Sequence, residues 1–160
     1  MILGFTPFTL THVVVSLAGI VAGVIVVIGM LGRKSLDGWT ALFLVTTVLT
    51  SVTGFGFPFF QFLPSHAVGI ISLVVLAPAI FGRYARHLAG RWRATYVIGA
   101  VVALYLNVFV LIVQAFRRVP ALSALAPTQS EPPFIIGQLL ALVLFAVLGV
   151  QAVKRYKTTP

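Results

Sequence analysis

The chain has 160 residues, of which 60% are hydrophobic and only 8% are charged. A soluble domain carries about 25% charged residues, so this chain has too few charges to cover a surface that faces water. It contains no cysteine, which excludes a disulfide framework and a zinc-ribbon site. The composition therefore predicts an integral membrane protein.

The formal net charge of +9 raises the question of nucleic-acid binding. The basic residues lie in short clusters between long apolar runs, not along one face or in one tail. Clusters of this kind are typical of membrane proteins, in which they set the orientation. We therefore expect no nucleic-acid partner. The expected partners are the lipid bilayer and either another membrane protein or a second copy of the chain.

Four stretches that are long enough to span a membrane contain no charged residue: 1–32, 38–82, 94–116 and 132–153. A membrane-spanning helix needs about 20 apolar residues. The stretch 38–82 would be roughly 67 Å long as a single helix, so it must turn back, and the Gly- and Pro-rich segment 54–64 marks the turn. The sequence thus predicts an all-α, up-and-down bundle that forms one domain over residues 1–160. Its five transmembrane helices are about 8–31, 39–58, 65–82, 94–116 and 133–153.

Local signals mark the helix ends. Thr6 is predicted to cap the first helix and Asp37 the second. Pro64 and Pro132 lie where the third and fifth helices begin. Pro78 lies inside the third helix, where the loss of one backbone hydrogen bond predicts a kink.

The distribution of basic residues predicts the orientation. Nine of the eleven would share one side of a five-span protein, and only Arg117 and Arg118 would lie on the other. The positive-inside rule then places the N-terminus outside and the C-terminus in the cytoplasm. Five aromatic residues are also predicted to lie at the cytoplasmic interface, where they would form an aromatic belt: Trp39, Tyr84, Trp92, Tyr96 and Tyr156.

Polar side chains within the helices are concentrated in the predicted outer half. Such residues are costly in a membrane and usually face the bundle interior. Gln151 is the clearest polar residue of the inner half. We therefore predict a polar ligand pocket that opens towards the outer face, with Arg117, Arg118 and Glu131 at its rim. Its lining residues would be His12, Ser16, Thr50, Ser51, His66, Asn107, Gln114 and Gln138.

Two features of the first helix support this placement. His12, Ser16, Gly19 and Gly23 share one helix face, and the two glycines form a GxxxG pair that permits close helix packing. A simpler interpretation of the hydroxyl residues stays open. Ser and Thr in helices often bond only to the carbonyl four residues earlier.

The two histidines of the outer half suggest a cofactor. Neutral imidazole binds haem iron and transition metals, and His12 and His66 would lie at similar depth on two parallel helices. Together they would bind a b-type haem or contact a quinone, while no separate metal site is predicted. The third histidine, His87, lies in a basic segment. We interpret this segment first as a positive-inside loop and second as a segment that binds anionic lipid headgroups.

Common catalytic sites have no counterpart in the sequence. No carboxylate lies within a helix, and no Gly-x-Ser-x-Gly motif is present. Asp37 and Glu131 would lie on opposite sides of the membrane, so they cannot form an acid–base pair. All three lysines lie at the predicted cytoplasmic edge, which excludes a buried Schiff base. The sequence contains no recognisable hydrolytic or transferase site. Whether the protein is an enzyme stays open, because a redox role would allow enzymatic activity.

Several stretches resemble those of small multi-span inner-membrane proteins of bacteria. They are Asp37-Gly-Trp-Thr-Ala-Leu-Phe-Leu, Thr50-Ser-Val-Thr-Gly-Phe, His66-Ala-Val-Gly-Ile-Ile-Ser-Leu and Ala126-Pro-Thr-Gln-Ser-Glu-Pro-Pro-Phe. The resemblance implies a location in a bacterial inner membrane, and no activity follows from it. Three functions are therefore considered. The first is an accessory subunit or binder of a small ligand or lipid. The second is a redox protein, and the third is a small-solute channel lined by Thr50, Asn107 and Gln114.

Overall fold

The computed structural model describes residues 6–57 and 64–157, and most of these residues are helical. The predicted all-helical class is confirmed, and no strand occurs among these residues. A single 3-10 turn, Gly54–Gly56, continues the second helix. The α-helices are α1 (Pro7–Leu31), α2 (Asp37–Thr53), α3 (Pro64–Tyr84), α4 (Arg91–Arg118), α5 (Pro120–Leu125) and α6 (Pro132–Arg155).

Five helices of the described part are long and apolar enough to cross a membrane. They are α1, α2 with its 3-10 turn, α3, α4 and α6. The predicted helix bounds differ from the observed ones by only a few residues in most places. The main difference is in α2, whose α-helical part ends at Thr53, while the predicted end at residue 58 lies outside the described residues.

The short helix α5 was not predicted. Its sequence, Pro-Ala-Leu-Ser-Ala-Leu, begins with a proline at the first helical position, where the missing N–H has no cost. The predicted helices end at residue 116 and resume at residue 133, so the segment between them was expected to be a connection without a helix. Pro120 begins α5 within this segment, and Pro132 begins α6, as predicted.

The helix ends confirm one predicted cap and correct another. Thr6 caps α1, since its hydroxyl accepts a hydrogen bond from the Thr9 amide. The prediction that Asp37 caps α2 is wrong, because Leu36 occupies the cap position and Asp37 is the first helical residue. The Asp37 carboxylate instead binds side chains outside the helix, as described below.

Long helices that follow one another in the chain run antiparallel. His12 contacts Thr53 near one end of the α1–α2 pair, and Gly29 lies against Leu36 near the other. Two contacts show the same order for each later pair. In α2–α3 they are Ser51 with Gly69 and Asp37 with Arg83. In α3–α4 they are Ala79 with Gly99 and Gly82 with Trp92, and in α4–α6 they are Phe116 with Phe134 and Tyr105 with Phe145.

Helices α1 to α4 form a closed ring in which each contacts the next and α4 contacts α1. Helix α4 also touches α2 across the ring, and α6 packs outside the ring against α4 and α1. We call the end with Pro7, Thr53, Arg118 and Pro132 the polar end. The opposite end, with Leu31, Asp37, Arg91 and Arg155, is the basic end.

Apolar side chains fill the ring between its middle and the basic end. Close packing there is made possible by Gly19 and Gly23, as predicted from the GxxxG pair. A Cβ on Gly23 would lie 2.7 Å from the Leu104 side chain and 2.8 Å from that of Phe43, and one on Gly19 would lie 3.0 Å from the Thr46 hydroxyl. The largest fully buried apolar side chains are Tyr96, Phe43, Met30, Leu76, Leu104 and Val97.

Candidate functional site

His12 is fixed at the polar end by a contact between α1 and α2. Its Nδ1 lies 2.8 Å from the hydroxyl oxygen of Thr53, and its ring meets the edge of the Phe57 ring, with the centroids 5.1 Å apart. The Thr53 hydroxyl also lies 2.7 Å from the Leu49 carbonyl oxygen, and a hydroxyl that donates its one hydrogen there accepts from His12 Nδ1–H. We infer this tautomer of His12, in which Nε2 carries no proton and can accept a hydrogen bond or bind a metal.

His66 lies near the start of α3 and is buried, with 3% of its surface exposed. Its ring stacks on Phe55, with the centroids 5.7 Å apart and the planes at 17°. Gly69 makes room for this arrangement, since a Cβ there would lie 3.4 Å from the Phe55 ring and from the Ser51 carbonyl oxygen. The structure thus gives each of the two histidines of the polar end an aromatic neighbour from the segment that follows α2.

The hydroxyl groups of the polar end fall into two classes. Ser16 donates to the His12 carbonyl at 2.6 Å and Ser51 to the Thr47 carbonyl at 2.9 Å, so both are satisfied within their own helices, as the simpler interpretation predicts. Thr50 Oγ1 and Ser72 Oγ differ. Among the described residues, they are buried side-chain oxygens without a hydrogen-bond partner, and Ser72 has only 2% of its surface exposed. Ser72 was not among the predicted pocket residues.

The three amides of the predicted pocket take different positions. Asn107 reaches into the ring, where its Nδ2 lies 3.4 Å from the Thr47 hydroxyl. Gln138 donates to the Phe109 carbonyl at 3.2 Å, which places it in the α4–α6 contact outside the ring, and its buried Oε1 has no partner among the described residues. Gln114 accepts from Arg118 Nε at 3.3 Å near the end of α4.

The three predicted rim residues lie at or after the end of α4. Arg117 and Arg118 are exposed. The Glu131 carboxylate accepts hydrogen bonds from the Thr128 amide and hydroxyl and from the Ser130 amide, and it thereby organises the turn before α6. Partial loss of hydration raises the pKa of Glu131, but the hydrogen bonds from Thr128 and Ser130 outweigh it and leave that pKa below its ordinary value.

A second polar cluster, at the basic end, was not predicted as a site. The Arg83 guanidinium binds the Asp37 carboxylate, which also accepts from the Ser35 hydroxyl at 2.7 Å. The guanidinium carbon lies 5.0 Å from the centre of the Tyr96 ring and 5.7 Å from that of Tyr84, as in cation–π contacts. Burial is unequal, because the Arg83 side chain is 8% exposed and that of Asp37 is 81% exposed.

This cluster corrects one expectation about the inner half. Tyr96 and Tyr156 were predicted to belong to an aromatic belt at the membrane surface, but both are buried, because Tyr96 packs against Arg83 and Tyr156 packs against Tyr96 at 6.1 Å. Gln151, which the sequence marks as the clearest polar residue of this half, lies on the exposed surface. The buried polar groups are instead Arg83 and Thr40, whose hydroxyl lies 3.4 Å from that of Tyr96.

A cleft of about 500 Å³ opens beside this ion pair. A second, apolar groove of about 320 Å³ runs along the contact of α2 with α3 and shares Ala41 and Tyr84 with the cleft. The sequence offered one indication of the ion pair, since Asp37 is the only acidic residue at an end that carries nine basic ones. Comparisons with protein-family models, curated proteins and solved structures found no match for this chain.

Proposed function

We propose that the protein is a non-enzymatic, multi-pass protein of a bacterial inner membrane that binds a small polar ligand at its polar end. In this role it is an accessory subunit or a ligand-binding protein. The five apolar helices support insertion in a membrane. The nine basic residues at one end support an orientation with the polar end outside.

The observation that carries the proposal is that two buried hydroxyls, Thr50 Oγ1 and Ser72 Oγ, have no hydrogen-bond partner among the described residues. A buried polar group without a partner costs about 1–3 kcal/mol. Hydroxyls in membrane helices usually avoid this cost by bonding to the carbonyl four residues earlier, as Ser16 and Ser51 do here. A ligand with hydrogen-bonding groups would offset the cost at Thr50 and Ser72.

Two substitutions test this proposal. Thr50→Val and Ser72→Ala remove the hydroxyls with little change in volume. If a bound ligand uses them, both variants unfold at lower temperature than the parent in a mild detergent extract. After exhaustive detergent exchange has stripped bound molecules, the parent should lose that advantage. Ser51→Ala is the matched control, because its hydroxyl already bonds to Thr47, and its effect should be the same in both preparations.

The result that contradicts the proposal is equally specific. If Thr50→Val and Ser72→Ala are as stable as the parent, or more stable, in the mild extract, the two hydroxyls bind nothing and the ligand site is wrong. Equal destabilisation in the mild and stripped preparations would give the hydroxyls a purely structural role.

The redox function is the second proposal, and the tautomer of His12 favours it. In the inferred tautomer Nδ1 donates to the Thr53 hydroxyl, so Nε2 can bind haem iron or accept from a hydroquinone hydroxyl. The small-solute channel is the third. The packed Phe43, Met30 and Leu104 side chains between mid-bundle and the basic end argue against a continuous polar path, so we rank it last.

A further inference from the structure

We propose that the basic end contains a second site, which binds one phospholipid with a primary ammonium headgroup, of the phosphatidylethanolamine class. The headgroup would occupy the cleft beside Asp37 and Arg83, and one acyl chain would lie in the apolar groove between α2 and α3. This site is separate from the ligand site at the polar end, so either proposal can fail without the other.

The shape of the surface fits an amphiphile. The cleft is lined by polar groups of Ser35, Asp37, Arg83, Tyr84 and His87. The groove continues from it past Ala41 and Tyr84 and is lined otherwise only by aliphatic side chains, namely Leu44, Val45, Val48, Leu49 and Ile80. From Ala41 to Leu49 it follows roughly 12 Å of α2, at 1.5 Å per residue. A polar cleft joined to an apolar groove matches a headgroup joined to an acyl chain.

The groove exists because α2 and α3 meet closely near their two ends. Near the polar end, the Ser51 carbonyl and Phe55 pack against Gly69. At the basic end, Asp37 binds Arg83. Between these contacts lie the exposed side chains of Val45 and Leu49, with buried Leu44 beside them. The groove therefore runs along the outside of the ring, where bilayer lipid has direct access to it.

The charges at the cleft favour a headgroup with both signs. Arg83 is almost fully covered by its aromatic neighbours, while its partner Asp37 stays 81% exposed, so the accessible charge of the ion pair is the carboxylate. Two exposed basic residues, Lys34 and Arg86, are next in sequence to the lining residues Ser35 and His87. A headgroup whose ammonium binds Asp37 and whose phosphate lies near His87 would match both the carboxylate and the basic residues.

The same charges distinguish between lipid classes. A primary ammonium donates hydrogen bonds to a carboxylate as lysine does, whereas the quaternary ammonium of phosphatidylcholine has no N–H to donate. Phosphatidylglycerol would fit the surrounding cations but would place no positive group beside Asp37. The exposed carboxylate therefore selects the ethanolamine headgroup.

Native mass spectrometry of the full-length protein in detergent, titrated with lipids of identical acyl chains, tests the proposal. We expect phosphatidylethanolamine to bind about fivefold more tightly than phosphatidylcholine or phosphatidylglycerol, as one charge-assisted hydrogen bond allows. In Asp37→Asn the preference over phosphatidylcholine should disappear. Equal binding of the ethanolamine and choline lipids by the parent, or tighter binding of phosphatidylglycerol, would overturn the proposal.

A second variant tests the groove without touching the ion pair. Val45→Trp places a large side chain at an exposed groove position and should weaken binding of the ethanolamine lipid by at least about fivefold. Leu42→Trp is the control, since Leu42 is exposed on the same helix but does not line the groove. Unchanged binding in Val45→Trp, or the same loss in both variants, would contradict the assigned acyl-chain position. These tests remain decisive even if Asp37→Asn fails to fold.

Discussion

The Asp37 carboxylate, on the first turn of α2, binds the Arg83 guanidinium, on the last turn of α3. The two residues are 46 positions apart in the chain, so the ion pair ties the beginning of α2 to the end of α3. Asp37 also lies at a helix N-terminus, where a negative charge is favourable.

Replacing Asp37 with Asn should lower the free energy of unfolding by about 1 kcal/mol. The effect is modest because the carboxylate is largely exposed to solvent. A double-mutant cycle with Arg83→Met, read from thermal unfolding in detergent, isolates the pair. The two changes should be non-additive, since each removes the same contact. Additivity within about 0.3 kcal/mol would show that the pair contributes nothing to stability.

The GxxxG pair on α1 gives a packing prediction. Leu at Gly19 or Gly23 would overlap Thr46, Phe43 or Leu104, and each change should cost about 1–3 kcal/mol or more through overpacking. Gly137→Leu on α6 is the matched control, because a Cβ there would have no neighbour within 4 Å. A Gly19→Leu, Gly23→Leu double variant that unfolds at the same temperature as the control would contradict the assigned helix contacts.

The orientation gives a prediction that does not depend on packing. Reporter fusions after residues 60, 88, 125 and 160 should report outside, inside, outside and inside, because nine of the eleven basic residues then face the cytoplasm. A cytoplasmic signal from the fusion at residue 125 would refute the five-span, N-outside arrangement. Arg117 and Arg118 precede that position, so it is the most informative of the four.

The fold follows closely from the sequence because its main determinants are local. Uncharged runs of about 20 residues and the cap at Thr6 are read directly along the chain. The contact face of α1 follows from the spacing of Gly19 and Gly23. These features depend on neighbouring residues, so one sequence suffices to find them.

The sites depend on long-range partners, and here local reasoning was incomplete. Asp37 was predicted to be a cap from its position before the second helix. Its actual partner, Arg83, lies 46 residues away in the chain, so local signals do not reveal it. His12 contacts the hydroxyl of Thr53, from the end of α2, and Thr53 was not among the predicted lining residues. Tyr96 is buried because Arg83 of α3 and Thr40 of α2 pack against it. The periodicity of a single helix does not reveal these partners.

The redox proposal has a spectroscopic test. If His12 and His66 bind one b-type haem, protein from haem-supplemented cells should show a strong Soret band that His12→Ala or His66→Ala weakens. Thr53→Val should also weaken it, since the Thr53 hydroxyl fixes the His12 ring. A colourless protein would refute haem binding, and a coloured protein that keeps its spectrum without both histidines would place the haem elsewhere.

The most direct test of the ligand site is native mass spectrometry of the protein released from its own membrane without detergent exchange. Our account predicts that the parent and Ser51→Ala carry a bound small molecule other than a phospholipid. The Thr50→Val, Ser72→Ala double variant should lose it, because in our proposal the ligand binds these two hydroxyls, which have no partner in the described part of the chain. A parent protein that carries only phospholipid, or a double variant that keeps the same bound mass, would contradict the account.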